Sequence, residues 1–190
     1  PNRRENLQGG EVLEVAWDPA NTQRAPINAD SVDIYFSVDG GFTYPYLLKQ
    51  ATPNDGFTRV FLPDTTAART RIKIKASNNI FFDVSNFNSP LTASAGPGIV
   101  SYFEEDEITV CAGDSRSLTL QTSGKGNLST SVSLRASVVP DGLRVDLPSG
   151  NFPFGDPINI SVAADPSLAP GIYSFRILLN SPDGFAALET

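Results

Sequence analysis

The sequence predicts an all-β protein built as two tandem β-sandwiches with very little helix, and three observations carry that expectation. Apolar side chains recur at every second position through much of the chain, which is the period of a half-buried strand. Turn-forming clusters rich in glycine, proline and aspartate separate those runs at intervals of about ten residues, the rhythm of short strands joined by tight connections. No ten-residue window combines a 3.6-residue apolar period with helix caps. A sheet with one apolar face must cover it with a second sheet, and 190 residues suffice for two domains of about 90 each.

Taken in order, the first strand is expected at Val12 to Trp17. The clearest alternation follows in Val32-Asp33-Ile34-Tyr35-Phe36-Ser37-Val38, where the even positions are all apolar and two of the three odd ones are polar. Thr58 to Leu62 and Arg69 to Lys75 complete the first set, with Asp39-Gly40-Gly41 and Pro53-Asn54-Asp55-Gly56 as turns between them. Ser89 to Pro97, rich in Ser, Ala, Gly and Pro, reads as a linker. The boundary is placed near Ala93 and Ser94, giving domains 1–93 and 94–190. In the second domain strands are expected at Ser117 to Thr122, Val132 to Val138, Leu143 to Leu147, Pro157 to Ala163 and Tyr173 to Leu179.

Four motifs stand out. Ser37-Val38-Asp39-Gly40-Gly41-Phe42-Thr43-Tyr44 has the S-x-D-x-G-x-T-aromatic pattern of an Asp-box hairpin, in which aspartate accepts backbone N–H groups and glycine supplies positive φ. A structural turn is the default reading, with calcium or sugar binding as alternatives. Arg69, Arg71, Lys73 and Lys75 alternate along a strand, so all four project from one face while Ile72 and Ile74 point into the core. That basic stripe can receive an anionic polymer, or it can simply be a solvated face that discourages aggregation; carboxylates nearby are expected to balance it. Glu104-Glu105-Asp106-Glu107 point alternately to opposite sides of an extended chain, which makes a solvated approach to the next strand a better reading than a cation site. Leu168-Ala169-Pro170-Gly171-Ile172-Tyr173-Ser174-Phe175 resembles the tyrosine corner of Greek-key sandwiches, with Phe175 where immunoglobulin domains keep a cysteine. Both domains are accordingly expected to be immunoglobulin- or fibronectin-III-like.

Composition removes whole classes of function. The chain has no histidine, which excludes Ser-His-Asp, Cys-His and His-ligated zinc chemistry. Neither G-x-x-x-x-G-K-[ST] nor G-x-G-x-x-G occurs. Carboxylate-only glycosidase chemistry needs two facing acids, and none of the 21 acidic residues is singled out as a pair. The formal charge of −7 falls almost wholly in residues 94–190, with five basic and eleven acidic side chains against nine and ten in residues 1–93; this argues against nucleic acid as a partner. No apolar run approaches the ~20 residues of a membrane-spanning helix. The lone Cys111 cannot close an internal disulfide and is expected to pack as a small core residue. Opening on Pro1 with no methionine, the chain is expected to be a processed form or a piece of something longer.

Nearly contiguous words across residues 1–90 resemble a module from the C-terminal part of secreted bacterial metallopeptidases of the reprolysin-like kind. They are Gly10-Glu11, Val15-Ala16-Trp17, Asn21-Thr22, Ala25-Pro26-Ile27-Asn28, Val32-Asp33-Ile34, Ser37 through Thr43, Thr52 through Gly56, Ala68 through Lys75 and Asn79 through Asn86. Val110 through Gly113, Pro140 through Leu143 and Pro170 through Tyr173 resemble a second Ig-like sandwich that often follows it. The resemblance implies an appendage, since the zinc-binding HExxH helix of such proteins belongs to an upstream domain. Such modules usually open with Pro-Asn-Gly-Gly-Glu, whereas here an arginine-rich stretch separates Pro1-Asn2 from Gly9-Gly10-Glu11, so the first strand is expected to be irregular.

The resulting expectation is a non-catalytic accessory region of a secreted or cell-surface protein, acting as a substrate-binding, spacer or adhesion module, with a carbohydrate-binding module as the rival reading. The ligand would be a protein or polysaccharide. Two surfaces are candidates: the hairpin carrying Asp39, Phe42, Tyr44 and Tyr46, and the face of Arg69, Arg71, Lys73 and Lys75. No catalytic residue, metal ligand or cofactor is expected, and calcium has no specific support. Exposure of the hairpin aromatics separates the two readings, because sugar faces stack on open rings.

Overall fold

The computed structural model describes residues 4–126, 128 and 131–189, and every regular element among them is a β-strand. Contacts divide the chain into two units, Pro1–Ser94 and Ala95–Thr190. The first unit contains β1 (Leu7–Gln8), β2 (Val12–Ala16), β3 (Ser31–Ser37), β4 (Tyr46–Pro53), β5 (Phe57–Phe61), β6 (Ala67–Ala76), β7 (Phe82–Val84) and β8 (Ser89–Thr92). Its larger sheet runs β1-β8-β6-β3-β4 with β7 also paired to β6, and β2 and β5 form a separate two-stranded sheet. All these pairings are antiparallel except β1 with β8.

Alternation decides which side chains meet between the sheets. Val32, Ile34 and Phe36 from β3 and Ile72 and Ile74 from β6 are buried against Val15 of β2 and Val60 of β5. Each such aliphatic side chain stabilises the fold by about 1.5–3 kcal/mol through the area it removes from water. The intervening residues of β6, from Arg69 to Lys75, therefore face outward, as the sequence predicts. Trp17 and Asn54 fasten the end of the small sheet: the indole N–H donates to Asn54 Oδ1 at 2.9 Å, while Asn54 Nδ2 donates to Thr22 Oγ1 and to the carbonyl of Ala29. Asn54 is buried, and these bonds satisfy an amide that would otherwise cost 1–3 kcal/mol, in round terms about 2, to bury.

The second unit contains β9 (Gly98–Phe103), β10 (Ser115–Lys125), β11 (Ser131–Val138), β12 (Leu143–Asp146), β13 (Phe152–Pro153), β14 (Ile158–Ala164), β15 (Arg176–Asn180) and β16 (Ala186–Glu189). Four-stranded sheets of order β12-β14-β10-β9 and β13-β11-β15-β16 result. With β9, β10, β12 and β14 as strands A, B, D and E, and β11, β15 and β16 as C, F and G, this is the ABED-on-CFG arrangement of a constant-type immunoglobulin sandwich. Leu118 and Leu120, Ile158 and Ile160, and Ile177 and Leu179 alternate inward to form its core. The tyrosine corner is formed: Tyr173 Oη donates to the Ala169 carbonyl at 2.8 Å. Phe175 meets Phe103 edge to face, with ring centroids 6.2 Å apart, filling by aromatic contact the position a disulfide sulfur holds elsewhere.

Several expectations need correction. Cys111 is exposed, because it lies in the connection between β9 and β10, where no neighbouring strand covers it. Ser89 to Pro97 is not all linker: Ser89–Thr92 is strand β8, with Leu91 fully buried, and Pro90 is accommodated where the β6–β8 register slips between Ala67 and Thr70. The strand expected from Tyr173 begins only at Arg176, since the corner occupies the residues before it. The strand expected first, Val12 to Trp17, is not irregular: β2 pairs with β5 in unbroken register, and the two-residue β1 precedes it; Pro1 and Asn2 of the opening phrase lie outside the described residues.

Candidate functional site

The hairpin after β3 is held by its own short polar side chains. Ser37 Oγ donates to Asp39 Oδ1 at 2.7 Å and accepts the Gly41 amide at 2.8 Å, while Asp39 accepts the Thr43 amide at 3.0 Å and the Thr43 hydroxyl at 2.6 Å. Those donors, the Thr43 hydroxyl first, hold the Asp39 carboxyl well below the usual carboxylate range. Gly40 and Gly41 take φ of 83° and 98°, where a Cβ is strained. At Gly41 a Cβ would also lie 3.1 Å from Arg71 Cδ and 3.2 Å from Tyr44 Oη. The Asp39 carboxylate is thus committed to the turn, and the turn is folded down onto β6.

That placement joins the two candidate surfaces. In the β3–β6 register Arg71 lies opposite Ser37, Lys73 opposite Tyr35 and Lys75 opposite Asp33, so the stripe and the odd residues of β3 share the outward face. Lys73 Nζ sits 4.2 Å from the ring centroid of Tyr44, 4.9 Å from that of Tyr35 and 5.9 Å from that of Phe82. Three electron-rich faces thus surround one ammonium. Arg71 Nε donates to Asn88 Oδ1 and its Nη1 to the Ser85 carbonyl, each at 3.0 Å. Burial pushes the Tyr44 phenol up, partly opposed by the Arg71 charge.

Arg71 and Lys73 are therefore held by neutral oxygens and rings, not by the carboxylates the sequence suggested. Two carboxylates are registered beside the stripe: Asp39, bridged to Arg69, is committed to its turn, and Asp33, opposite Lys75, is buried and accepts the Ala51 amide at 2.9 Å and the Ser77 hydroxyl at 2.7 Å. Arg69 is exposed, and its carbonyl accepts the Gly40 amide.

The hairpin aromatics do not act together. Phe42 stands 86% exposed, and Tyr44 is covered by the Lys73 ammonium. Tyr46 is registered opposite the inward Phe36 at the sheet margin, on the other face from Lys73. Tyr35 and Phe82 were not singled out in the sequence, yet they complete the ring cluster. The available signal was Tyr35, the one aromatic among the polar odd positions of β3. Elsewhere, Glu104 accepts Gln121 Nε2 at 3.0 Å while Glu105, Asp106 and Glu107 are exposed. Among the described residues no three cysteine or carboxylate side chains gather as a metal site.

No family profile and no curated protein matches the chain. Among solved structures it is similar to domains 1–6 of the surface layer protein SbsC, at 12% identity and a TM-score of 0.31 over 86% of this chain, which spans 20% of that one. It is also similar to the fibronectin(III)-like modules of Clostridium thermocellum CbhA, at 9% identity and 0.27 over the whole chain and 87% of theirs. A third similarity, to the D0-D1 domain of intimin, has 11% identity and a TM-score of 0.30, covering 95% of this chain and 91% of that. The immunoglobulin- and fibronectin-III-like, all-β architecture of this chain rests on its own strand order.

Proposed function

We propose that this chain is a non-catalytic recognition region of a secreted or cell-surface bacterial protein, and that the outward face around Lys73 binds an acidic polymer, most simply a polyuronate or sulfated glycan. The observation that carries the reading is the convergence of Tyr35, Tyr44 and Phe82 on Lys73, beside Arg69, Arg71 and Lys75 on the same sheet face. Such a face offers cations for anionic groups and ring edges for sugar carbons. The absence of histidine and the commitment of Asp39 to its turn support a role without bond breaking. The resemblance of residues 1–90 to accessory modules of reprolysin-like metallopeptidases supports a peptidase parent, in which this region would hold substrate or space the catalytic domain; an HExxH helix elsewhere in the parent is the matching observation.

Retention on immobilised heparin and on a polyuronate column tests the ligand class. The chain with Arg69, Arg71, Lys73 and Lys75 all changed to serine is expected to elute at markedly lower salt while keeping its β-sheet circular dichroism, since exposed charge contacts are screened within about 10 Å at 0.1 M salt. Unchanged elution would remove the face from consideration. Cleavage of a peptide or glycan by the purified chain would overturn the non-catalytic role.

A further inference from the structure

The small sheet of the first unit has two edges, and they are treated differently. Trp17 donates its amide to Gly56 and Glu11 accepts the Leu62 amide, so the odd residues of β2 bond to β5 and the even ones, Val12, Glu14 and Ala16 by alternation, turn their N–H and C=O outward.

 

On β5 two of the corresponding outward groups are occupied: the Phe57 amide donates to Asp55 Oδ1 at 3.2 Å, and Lys49 Nζ donates to the Arg59 carbonyl at 3.5 Å. A lysine laid along an edge strand is a recognised way of blocking further pairing. Among the described residues no strand, side chain or loop takes the outward amides of Val12, Glu14 and Ala16. Beside this open edge lies a cavity of about 530 Å³, floored by Leu7, Leu13, Trp17 and Ile72 and flanked by Phe87, which is 55% exposed. Its charged lining is Glu5, Glu14, Asp18 and Arg71. The Arg71 guanidinium is already bonded to Asn88 and Ser85, and Glu14 meets Arg59 only in an exposed pair at 3.4 Å, so Glu5 and Asp18 with Glu14 leave the rim acidic.

We propose that the open edge of β2 takes up an extended segment of another protein as an added strand, its side chains alternating between apolar residues that enter the cavity and basic residues that meet Glu5, Glu14 and Asp18. Main-chain bonds to the outward groups of β2 would supply affinity, and the alternate side chains specificity. A second copy of this chain is disfavoured as the occupant, because edge-to-edge pairing would bring Glu14 and Asp18 of both copies together. The proposal does not rest on the glycan reading, which uses the outward face of the larger sheet around Lys73, although Arg71 borders both.

Fluorescence anisotropy of the full chain with a labelled eight-residue peptide of alternating lysine and valine tests it. Saturable binding is expected, weakened more than about tenfold when alternate peptide amides are N-methylated, because several main-chain bonds are lost together. Ala16→Pro is expected to weaken binding similarly: it removes one outward N–H and leaves the bonds to β5 in place. The N-methylated peptide makes the same cut without altering the protein, so the result stands even if that variant unfolds. A glutamate–valine peptide is expected to bind far more weakly. Equal binding of the methylated or acidic peptide, no saturation by about 1 mM, or a concentration-dependent dimer abolished by Ala16→Pro would each overturn the proposal.

Discussion

At the scale of single residues, the chemistry of the first unit is a matter of short polar side chains closing on backbone. Asp39 is the clearest case: the Thr43 hydroxyl, the Thr43 amide and the Ser37 hydroxyl stabilise its charged form. Because the folded-state value is depressed below the ordinary 3.8, its contribution to stability is complete above that range and is lost as pH falls through and below it. Asp39→Asn is therefore expected to lower the thermal midpoint by a few degrees at pH 7, and the difference from the parent is expected to shrink on acidification below about pH 4. A difference independent of pH would show that the carboxylate charge does not hold the turn. The Asp-box was legible in sequence because its partners lie within six residues of one another. The Lys73 cluster was not, since Tyr35, Tyr44 and Phe82 reach it from three separate segments and only the register of β3, β6 and β7 brings them together.

At the scale of elements, strands with one solvated face were readable and the others were not. β6 shows buried Thr70, Ile72 and Ile74 between outward basic residues, a pattern that needs no knowledge of its neighbours. β4 hides its character because Ala51 adopts a φ of 51° and the register with β3 slips around Ile34, so alternation is broken where the strand bends. β8 was masked by composition: the Ser, Ala, Gly and Pro of residues 89–97 suggest a linker, and only the burial of Ser89 and Leu91 reveals the strand. The tyrosine corner was recognisable because it is local. Tyr173→Phe removes the bond to the Ala169 carbonyl while keeping the ring, and is expected to cost about 1 kcal/mol of stability in a denaturant titration. No measurable change would mean that the hydroxyl bond is fully replaced by water.

At the scale of the whole molecule, two sandwiches with separate cores present polar faces and loops, and the first carries the face where three aromatic rings converge on Lys73. The charge is asymmetric as composition shows: residues 94–190 hold most of the net negative charge, and the basic face belongs to the nearly neutral first half. The most direct measurement is a residue-resolved NMR titration of the chain with a short acidic oligosaccharide. Shift changes are expected to concentrate at Tyr35, residues 39–44, Arg69 to Lys75 and Phe82, with saturation and with loss on Lys73→Ala. Changes confined to other strands, or none at all, would contradict the assignment of recognition to this face.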